Sequence, residues 1–475
     1  MAAHTSDVTA LAENVLTGPI TRVAPPPAFT LGRAEFDWEV QEYRKLRRQV
    51  FVQQQELFTG TDLDELDADP RTVVVVARDG RGEIVGGVRL SPATDPDIGW
   101  WTGSRLVVAP QGQALRGVGS ALVRAACVIA ESAGVLRFDA TVQPQNEVLF
   151  RRLGWQRVRE TSVQSRPHVL MRYPIERISR LVRGTKAPLA GLLDVLQSGD
   201  NSLGGDGFVG DDGAPVPGSD VIAASDAILP SMVERTPEWA GWCAVLVNVN
   251  DLSAMGATAV GLLDSLGARD VSFARRVLTG LKDAADAWRV PVLGGHTQLG
   301  VPASLSVTAL GRTDRPVAAG GGRSGDTVSV TADLGGQWRQ GYAGAQWDST
   351  SVRTSDDLAA MAGCVAATRP RAAKDISMAG LVGTLGMLAE ASGTGAELDV
   401  AAVPRPDAAS VGDWFTCFPG FGMITTDRPD RTVAPAGPAV TASCGRLTDG
   451  AGVRLRWPDG ELTDVLDVVT GLGKA

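Results

Sequence analysis

Acidic residues recur beside glycines in the second half of this sequence, and always in places where a chain segment ends. Asp211 and Asp212 lie in Gly210-Asp-Asp-Gly213, and Asp226 ends the run DVIAASD. Asp251 ends AVLVNVND, just before Leu-Ser-Ala-Met-Gly256-Ala257, and Asp375 sits in Ala-Lys-Asp-Ile-Ser. One Asp next to a Gly is ordinary turn chemistry. Four such cases in order suggest hard oxygen ligands gathered from separate segments, which is what magnesium needs to neutralise a triphosphate. The first half holds a different device. In VVAPQGQALRGVGSALVRAA a β run passes through a loop, and Arg116-Gly117-Val118-Gly119-Ser120-Ala121 opens a helix. Glycines there let backbone N–H groups converge without Cβ interference, and the helix N-terminus adds unpaired donors and partial positive charge. That combination suits a pyrophosphate.

The elements that must position these groups follow from patterning. RTVVVVARD (71–79) and EIVGGVRLSP (83–92) read as strands meeting at the Asp79-Gly80-Arg81-Gly82 turn. SRLVVAP (104–110) is a further strand, and ALVRAACVIAESAG (121–134) has helical periodicity with a Gly stop. FDATVQ (138–143) reads as a strand, EVLFRRLG (147–154) as a short helix and HVLMRY (168–173) as a last strand. Beyond about residue 180, PLAGLLDVLQSG (188–199) reads as a helix before the Gly/Asp-rich loop. DVIAASD (220–226) and AVLVNVND (244–251) read as strands, and VSFARRVLTGLKDAADAWR (271–289) as a helix. PVLGGHT (291–297) and SLSVTALG (304–311) close that region, and the Gly-rich 318–335 reads as a hinge into a third unit. The expected division is a flexible tail at 1–28, a first domain at 29–176, and two further parts at 177–314 and 315–475.

Composition bounds the possibilities. At 475 residues, 44% apolar and 21% charged, the chain has a globular balance and room for two or three domains. A formal charge of −9 argues against a nucleic-acid partner. The five widely spaced cysteines (Cys127, Cys243, Cys364, Cys417, Cys444) show no CxxC or disulfide framework. The opening residues hold no apolar core of signal-peptide length, and no stretch reaches the ~20 apolar residues of a membrane span. The expectation is a cytoplasmic protein with no membrane partner. Three histidines (His4, His168, His296) exclude a His-rich transition-metal site.

The Arg116–Ala121 segment resembles the signature of the GNAT acyltransferases, and Asn146-Glu-Val-Leu-Phe-Arg-Arg-Leu-Gly154-Trp155 resembles their late helix. EYRKLRRQVFVQQQELF (42–58) is similar to the first helix and loop of several members. The resemblance spans roughly 35–175 and implies a mixed sheet with flanking helices, splayed around acetyl-CoA. It implies that the Leu106, Val107 and Val108 backbone binds the pantetheine arm, that Arg116 to Ala121 hold the pyrophosphate, and that Asn146 joins the cofactor site. The tyrosine that many members use as general acid is replaced here by Phe150. Glu56, Asp62 and Glu83 are the candidate bases, and transfer by proximity alone is the alternative.

From about 184 onward, the acidic series with NDLSAMGA and FPGFGMITT (418–426) resembles the AIR synthetase superfamily, which includes thiamine-monophosphate kinase and selenophosphate synthetase. The resemblance implies a two-part α+β domain, a homodimer, ATP in a groove, and Mg2+ on Asp211 or Asp212, Asp226, Asp251 and Asp375. Gly294-Gly295-His296-Thr297 is similar to the selenophosphate synthetase version of the nucleotide site, and Lys186 to that enzyme's loop lysine. The reactive cysteine of that loop is replaced by Arg183, with Thr185 at a second cysteine position, so selenium chemistry is disfavoured. The end Gly-Leu-Gly-Lys-Ala lacks the carrier cysteine of the nitrile-forming hydrogenase-maturation enzyme.

The expected fold class is therefore α/β and α+β multidomain. The whole pattern resembles fused proteins of nitrogen-starvation and nitrilase-associated gene neighbourhoods, which implies metabolism of a small nitrogenous compound. The expected function couples N-acyl transfer from acetyl-CoA to Mg-ATP-dependent activation of a carbonyl or amide oxygen, with Lys186 and Asp251 acting in catalysis. Two alternatives stand beside it: an acyl-CoA or nucleotide sensor, and a simple small-molecule kinase with a passive acyl-CoA domain.

Overall fold

The Asp79–Gly82 turn closes on the bond from the Gly82 N–H to the Asp79 carbonyl, 3.0 Å, and it sets the register of the first sheet. The computed structural model describes residues 28–109, 115–196, 203–205, 207–431, 436–467 and 469–471. It divides into one unit of residues up to Ser132 with Arg137–Pro174, and a second of Ala133–Leu136 with Ile175–Ala475. The sequence reading of 1–28 as a tail falls almost wholly outside the described residues.

In the first unit, strands β1 (Phe29–Arg33), β2 (Val73–Asp79), β3 (Ile84–Pro92), β4 (Trp100–Val108), β5 (Arg137–Val142), β6 (Gln156–Val163) and β7 (Arg166–Tyr173) form one sheet. Its order is β1-β2-β3-β4-β5-β7-β6. Helices α1 (Asp37–Arg47) and α2 (Val118–Ser132) bury apolar faces against it, and α3 (Glu147–Arg152) follows β5. β4 and β5 are parallel but pair only over Trp100–Gly103 and Arg137–Ala140, so their later residues part. A bulge sharpens the parting: the β3–β4 register shifts between Gly87 and Arg89, and Arg105 takes φ 55°. The Tyr43 hydroxyl donates to the Arg105 carbonyl at 2.8 Å and holds the bulge. β6 escaped the sequence reading because QRVRETSV is mostly exposed and lacks an apolar face.

In the second unit, β8 (Ala214–Pro215), β9 (Val221–Ile228), β10 (Thr258–Ala268), β11 (Val292–Leu299) and β12 (Ser304–Arg312) form a sheet ordered β11-β10-β12-β9-β8. Helices α4 (Pro237–Ala254) and α5 (Val271–Trp288) share one buried core with it. They cross where a Cβ on Gly280 would lie 1.8 Å from the Glu238 carbonyl oxygen, so only glycine permits that approach. The third sheet is built from β13 (Thr327–Ala332), β16 (Ala372–Asp375), β17 (Gly395–Asp399), β18 (Gly422–Asp427), β19 (Val440–Thr448), β20 (Val453–Arg456) and β21 (Leu462–Leu466). β14 (Gln337–Trp338) and β15 (Trp347–Asp348) pair separately. The protein is thus a multidomain chain of mixed α/β and α+β units.

Two readings of the sequence are corrected. AVLVNVND is the C-terminal half of helix α4, not a strand. Nearly every face of this helix is buried, so apolar periodicity is absent, and alternating valines imitate a strand; Thr236-Pro237 at the helix start was the available signal. The Gly-rich 318–335 is no simple hinge, because it contains β13, which pairs with both β18 and β19 inside the third sheet. Of the helix read at 188–199, Pro188 is the N-cap, Leu189–Leu193 is α-helical and Asp194–Leu196 is a 3-10 turn; residues 197–199 lie outside the described residues.

Candidate active sites

In the first unit, the parting of β4 and β5 opens a cavity of ≈ 340 Å³. Its walls are largely apolar, with Phe51, Phe58, Phe138, Phe150, Trp155 and Leu170 among them. Leu106 and Asn146, expected at the acetyl-CoA site, also line it. Val107 and Val108 pair with Gly87 and Gly86 on the β3 side, and the pairing with β5 has ended before them. The Arg116–Ala121 turn leads into α2: Gly117 has φ 93°, and the Ala121 N–H bonds to the Gly117 carbonyl at 2.9 Å. The N–H groups of Val118, Gly119 and Ser120 therefore come before the first intrahelical donor, at the helix N-terminus where an anion is favoured. Residues 110–114 of this loop are outside the described residues.

The carboxylates and guanidinium groups on the cavity wall are held in ion pairs. Arg89 pairs with Asp64 at 2.5 Å and Asp67 at 2.8 Å, and Arg105 pairs with Asp64 at 3.0 Å. Asp139 accepts from Arg137 at 2.7 Å, Arg172 at 2.6 Å and the Trp100 indole at 3.1 Å. This overturns one candidate base: Asp62 is buried in an ion pair with Arg47 at 2.7 Å and also faces Arg105 at 3.4 Å. Glu56 and Glu83 are exposed, and neither lines the cavity. Phe150, where an acid was sought, packs edge-on against Trp155 with ring centres 5.2 Å apart. The sequence reading passed over His168, whose buried imidazole lines the same cavity. It alternates with Leu170 on one face of β7, a signal visible in HVLMRY.

In the second unit, Asp212, Asp251 and Asp375 bring one carboxylate oxygen each within 4.8 Å of one another. Asp212 comes from the Gly-rich loop before β8, Asp251 from the last turn of α4, and Asp375 from the end of β16. The Asp375 N–H donates to Asp212 Oδ2 at 2.9 Å. Lys374, which no sequence signal marked, is buried beside them; its ammonium donates to the Gly210 carbonyl at 3.1 Å and forms an ion pair with Asp212. Burial alone would lower this ammonium, but the charge and hydrogen bond of Asp212, helped by Asp211 and Asp375, turn the net shift upward.

The carboxylates respond the opposite way. Burial, then the charge of Asp375, Asp226 and Asp212, pushes Asp251 well above the usual carboxylate range. Burial and then Asp212 do the same to Asp375. Asp211 is pushed up to about 7, chiefly by burial, with Asp212 adding and Lys374 opposing. It accepts from the Ala319 N–H at 3.1 Å and stands beside the triad, not in it. Asp226 on β9 is exposed at its surface yet loses enough solvent to be raised; Asp212 adds and Lys186 opposes. Lys186, half-buried after residues 177–185, thus acts electrostatically on both Asp226 and Asp375. Asp211 Oδ2 and Asp375 Oδ2 are buried without a hydrogen-bond partner, so a hard cation fits this donor set. Gly294, Gly295, His296 and Thr297 lie in the edge strand β11, and all four are exposed.

A mixed sheet that parts between its parallel strands β4 and β5, and a unit that converges acidic side chains from three segments, define a multidomain chain of mixed α/β and α+β class. Residues 70–157 match the Acetyltransferase (GNAT) domain, residues 210–313 the AIR synthase related protein, N-terminal domain, and residues 342–458 its C-terminal domain. "Uncharacterized protein sll0787" of Synechocystis sp. is 32% identical over 244 residues, 49% of this chain and 75% of that protein. The thiamine-monophosphate kinase of Halobacterium salinarum is 32% identical over 231 residues, 46% of this chain and 79% of the kinase. Among solved structures, T. maritima PurL complexed with ADP shares the fold with a TM-score of 0.50 at 15% identity, covering 69% of this chain and 54% of that one. The chain belongs to the AIR synthase-related family and carries a GNAT acetyltransferase domain ahead of that family's two domains. No helix among the described residues is long and apolar enough to cross a membrane.

Proposed function

We propose that the protein is a bifunctional enzyme of small nitrogenous metabolites. Its first unit transfers an acyl group from acetyl-CoA to an amine, and its second uses Mg-ATP to phosphorylate an oxygen of a small molecule. The observation that carries the second activity is the meeting of Asp212, Asp251 and Asp375 beside Lys374. Magnesium on those carboxylates would supply the charge that neutralises a triphosphate. Asp251 and Asp375 would be its main holders, because Asp212 is shared with Lys374. Lys186 would face the transferred phosphate, and Gly294–Thr297 the nucleotide. The kinase name of the Halobacterium salinarum relative supports phosphoryl transfer. For the first unit, the GNAT match and the cavity beside Leu106 and Asn146 support acyl transfer.

The same relative favours a second reading, a simple small-molecule kinase with a passive acyl-CoA domain. Metabolite mass spectrometry on purified protein given acetyl-CoA, Mg-ATP and a cell extract separates the two. Coupling requires an acetylated species whose further conversion consumes ATP, whereas the kinase alone accumulates a phosphorylated, unacetylated product. Binding of both cofactors with neither consumed would overturn both readings in favour of a sensor.

The working form is proposed to be a cytoplasmic homodimer. Edge strand β11 leaves Val292, Leu293 and Leu299 exposed, at 43%, 57% and 48%, and an open apolar edge invites a second copy. A monomeric mass by light scattering would sink the dimer.

A further inference from the structure

We propose that His168 is the general base of the first unit's acyl transfer, and that the amine it serves has an apolar body without a second charge. This rests on the acyltransferase reading and goes beyond it in naming the base and the acceptor class.

The titratable cavity-wall groups are Asp64, Arg89, Arg105, Asp139 and His168. The first four are spent on ion pairs: Asp64 with Arg89 and Arg105 on the wall, and Asp139 with Arg137 and Arg172, which do not line the cavity. His168 is different. Its Nδ1 lies 2.9 Å from the Arg166 carbonyl, so Nδ1 carries the proton and donates it. In the neutral ring this leaves the lone pair on Nε2. The residue sits at the start of β7 beside Val169, which pairs with Val142 at the end of β5, where β5 has already parted from β4. The face shared with Leu170 turns it into the cavity.

The chemistry closes around this nitrogen. The amine nitrogen attacks the thioester carbonyl carbon; the N–C bond forms and the C–S bond breaks. Nε2 takes the proton the amine loses, and the CoA thiolate takes one proton in return. The imidazolium can give back what it received, so the step balances without the acid that Phe150 cannot supply. The same wall sets the acceptor. Among the described residues, no lining cation is left for a substrate carboxylate and no carboxylate for a second ammonium, while the phenylalanine and tryptophan faces reward apolar surface.

The test measures CoA thiol release with acetyl-CoA and four amines: phenethylamine and hexylamine on one side, glutamate and spermidine on the other. The unmodified protein should prefer the first pair by at least tenfold in kcat/KM. His168→Gln should lower kcat about a hundredfold while acetyl-CoA affinity, read by calorimetry, stays within twofold. In His168→Ala, added imidazole should restore turnover, a rescue that a merely structural histidine would not show. Turnover within threefold of normal in His168→Gln, or loss without imidazole rescue, overturns the base. Preference for glutamate or spermidine overturns the acceptor class. If the unmodified protein neither binds acetyl-CoA nor releases thiol, the acyltransferase reading itself falls and takes this proposal with it.

Discussion

Charge is handled in opposite ways at the two sites. On the wall of the first unit's cavity, Asp64 answers Arg89 and Arg105, Asp139 is held by Arg137 and Arg172, and the cavity itself is left largely apolar. In the second unit, Asp212, Asp251 and Asp375 crowd together, with Asp211 and Asp226 near and one buried lysine among them. A wall whose charges cancel holds its shape alone and selects by apolar surface. A cluster that carries excess negative charge stores an unfavourable interaction that a cation relieves. The first site is thus built before its ligand arrives, and the second is completed by one.

Removing a carboxylate is the hardest test of that contrast. Asp251→Asn is expected to lower Mg-ATP turnover on the order of a thousandfold, read as ADP formed, and to leave thiol release from acetyl-CoA unchanged. The same change should raise the melting temperature of the magnesium-free protein, because it removes a buried carboxyl whose ionised form burial and its acidic neighbours disfavour. Unchanged ATP turnover would remove the carboxylates from catalysis.

Deleting a cation separates the sites next. Lys374→Met strips Asp212 of its buried partner and should cost about 3–5 kcal/mol in urea unfolding, partly recovered on adding magnesium. Arg89→Met, which unbalances Asp64 and Asp67, should cost the second pair's share of that range without any magnesium recovery. Equal recovery in both variants would mean the metal acts nonspecifically.

A smaller effect follows from Asp211, whose carboxyl is pushed up to about 7. Between the ordinary carboxylate value and that one, the folded protein binds more protons than the unfolded chain. Stability from this group is therefore greatest at low pH and falls as pH rises toward about 7. In chelated buffer, Asp211→Asn should flatten the fall of melting temperature between about pH 5 and pH 7 by a few degrees. A parallel shift with an unchanged slope would contradict the assignment.

How legible these sites were in the sequence differs for a physical reason. The carboxylates could be read because Asp211 and Asp212 stand in a glycine-flanked loop and Asp251 and Asp375 come at the ends of their elements, and their order along the chain survives any error in the elements between them. Asp251 meets Asp212 and Asp375 even though its segment, strand-like in sequence, is a helix buried on nearly every side. Lys374 left no trace, since a lysine before an aspartate looks solvated until β16 is paired with β18 and both are buried. The cavity's paired charges were equally hidden: Arg89 on β3 and Asp64 in the loop before β2 are 25 residues apart, and only the fold brings them together. That is why Asp62 looked like a free base and His168 looked like nothing.

The finest test returns to the first cavity. If the thiolate needed a dedicated acid, Phe150→Tyr would supply a hydroxyl at the position the resemblance implies, and turnover would rise by tenfold or more. With His168 returning the proton, the hydroxyl has nothing to add. Phe150 is 6% exposed and packed against Trp155, so the new oxygen would also sit in apolar surroundings. The expected outcome is a kcat within about threefold of normal and a stability loss of about 1–3 kcal/mol from an unpartnered buried hydroxyl. A large gain in kcat would show that the wall lacks an acid after all, and would sharpen the contrast between a site that is chemically complete and one that is only shaped.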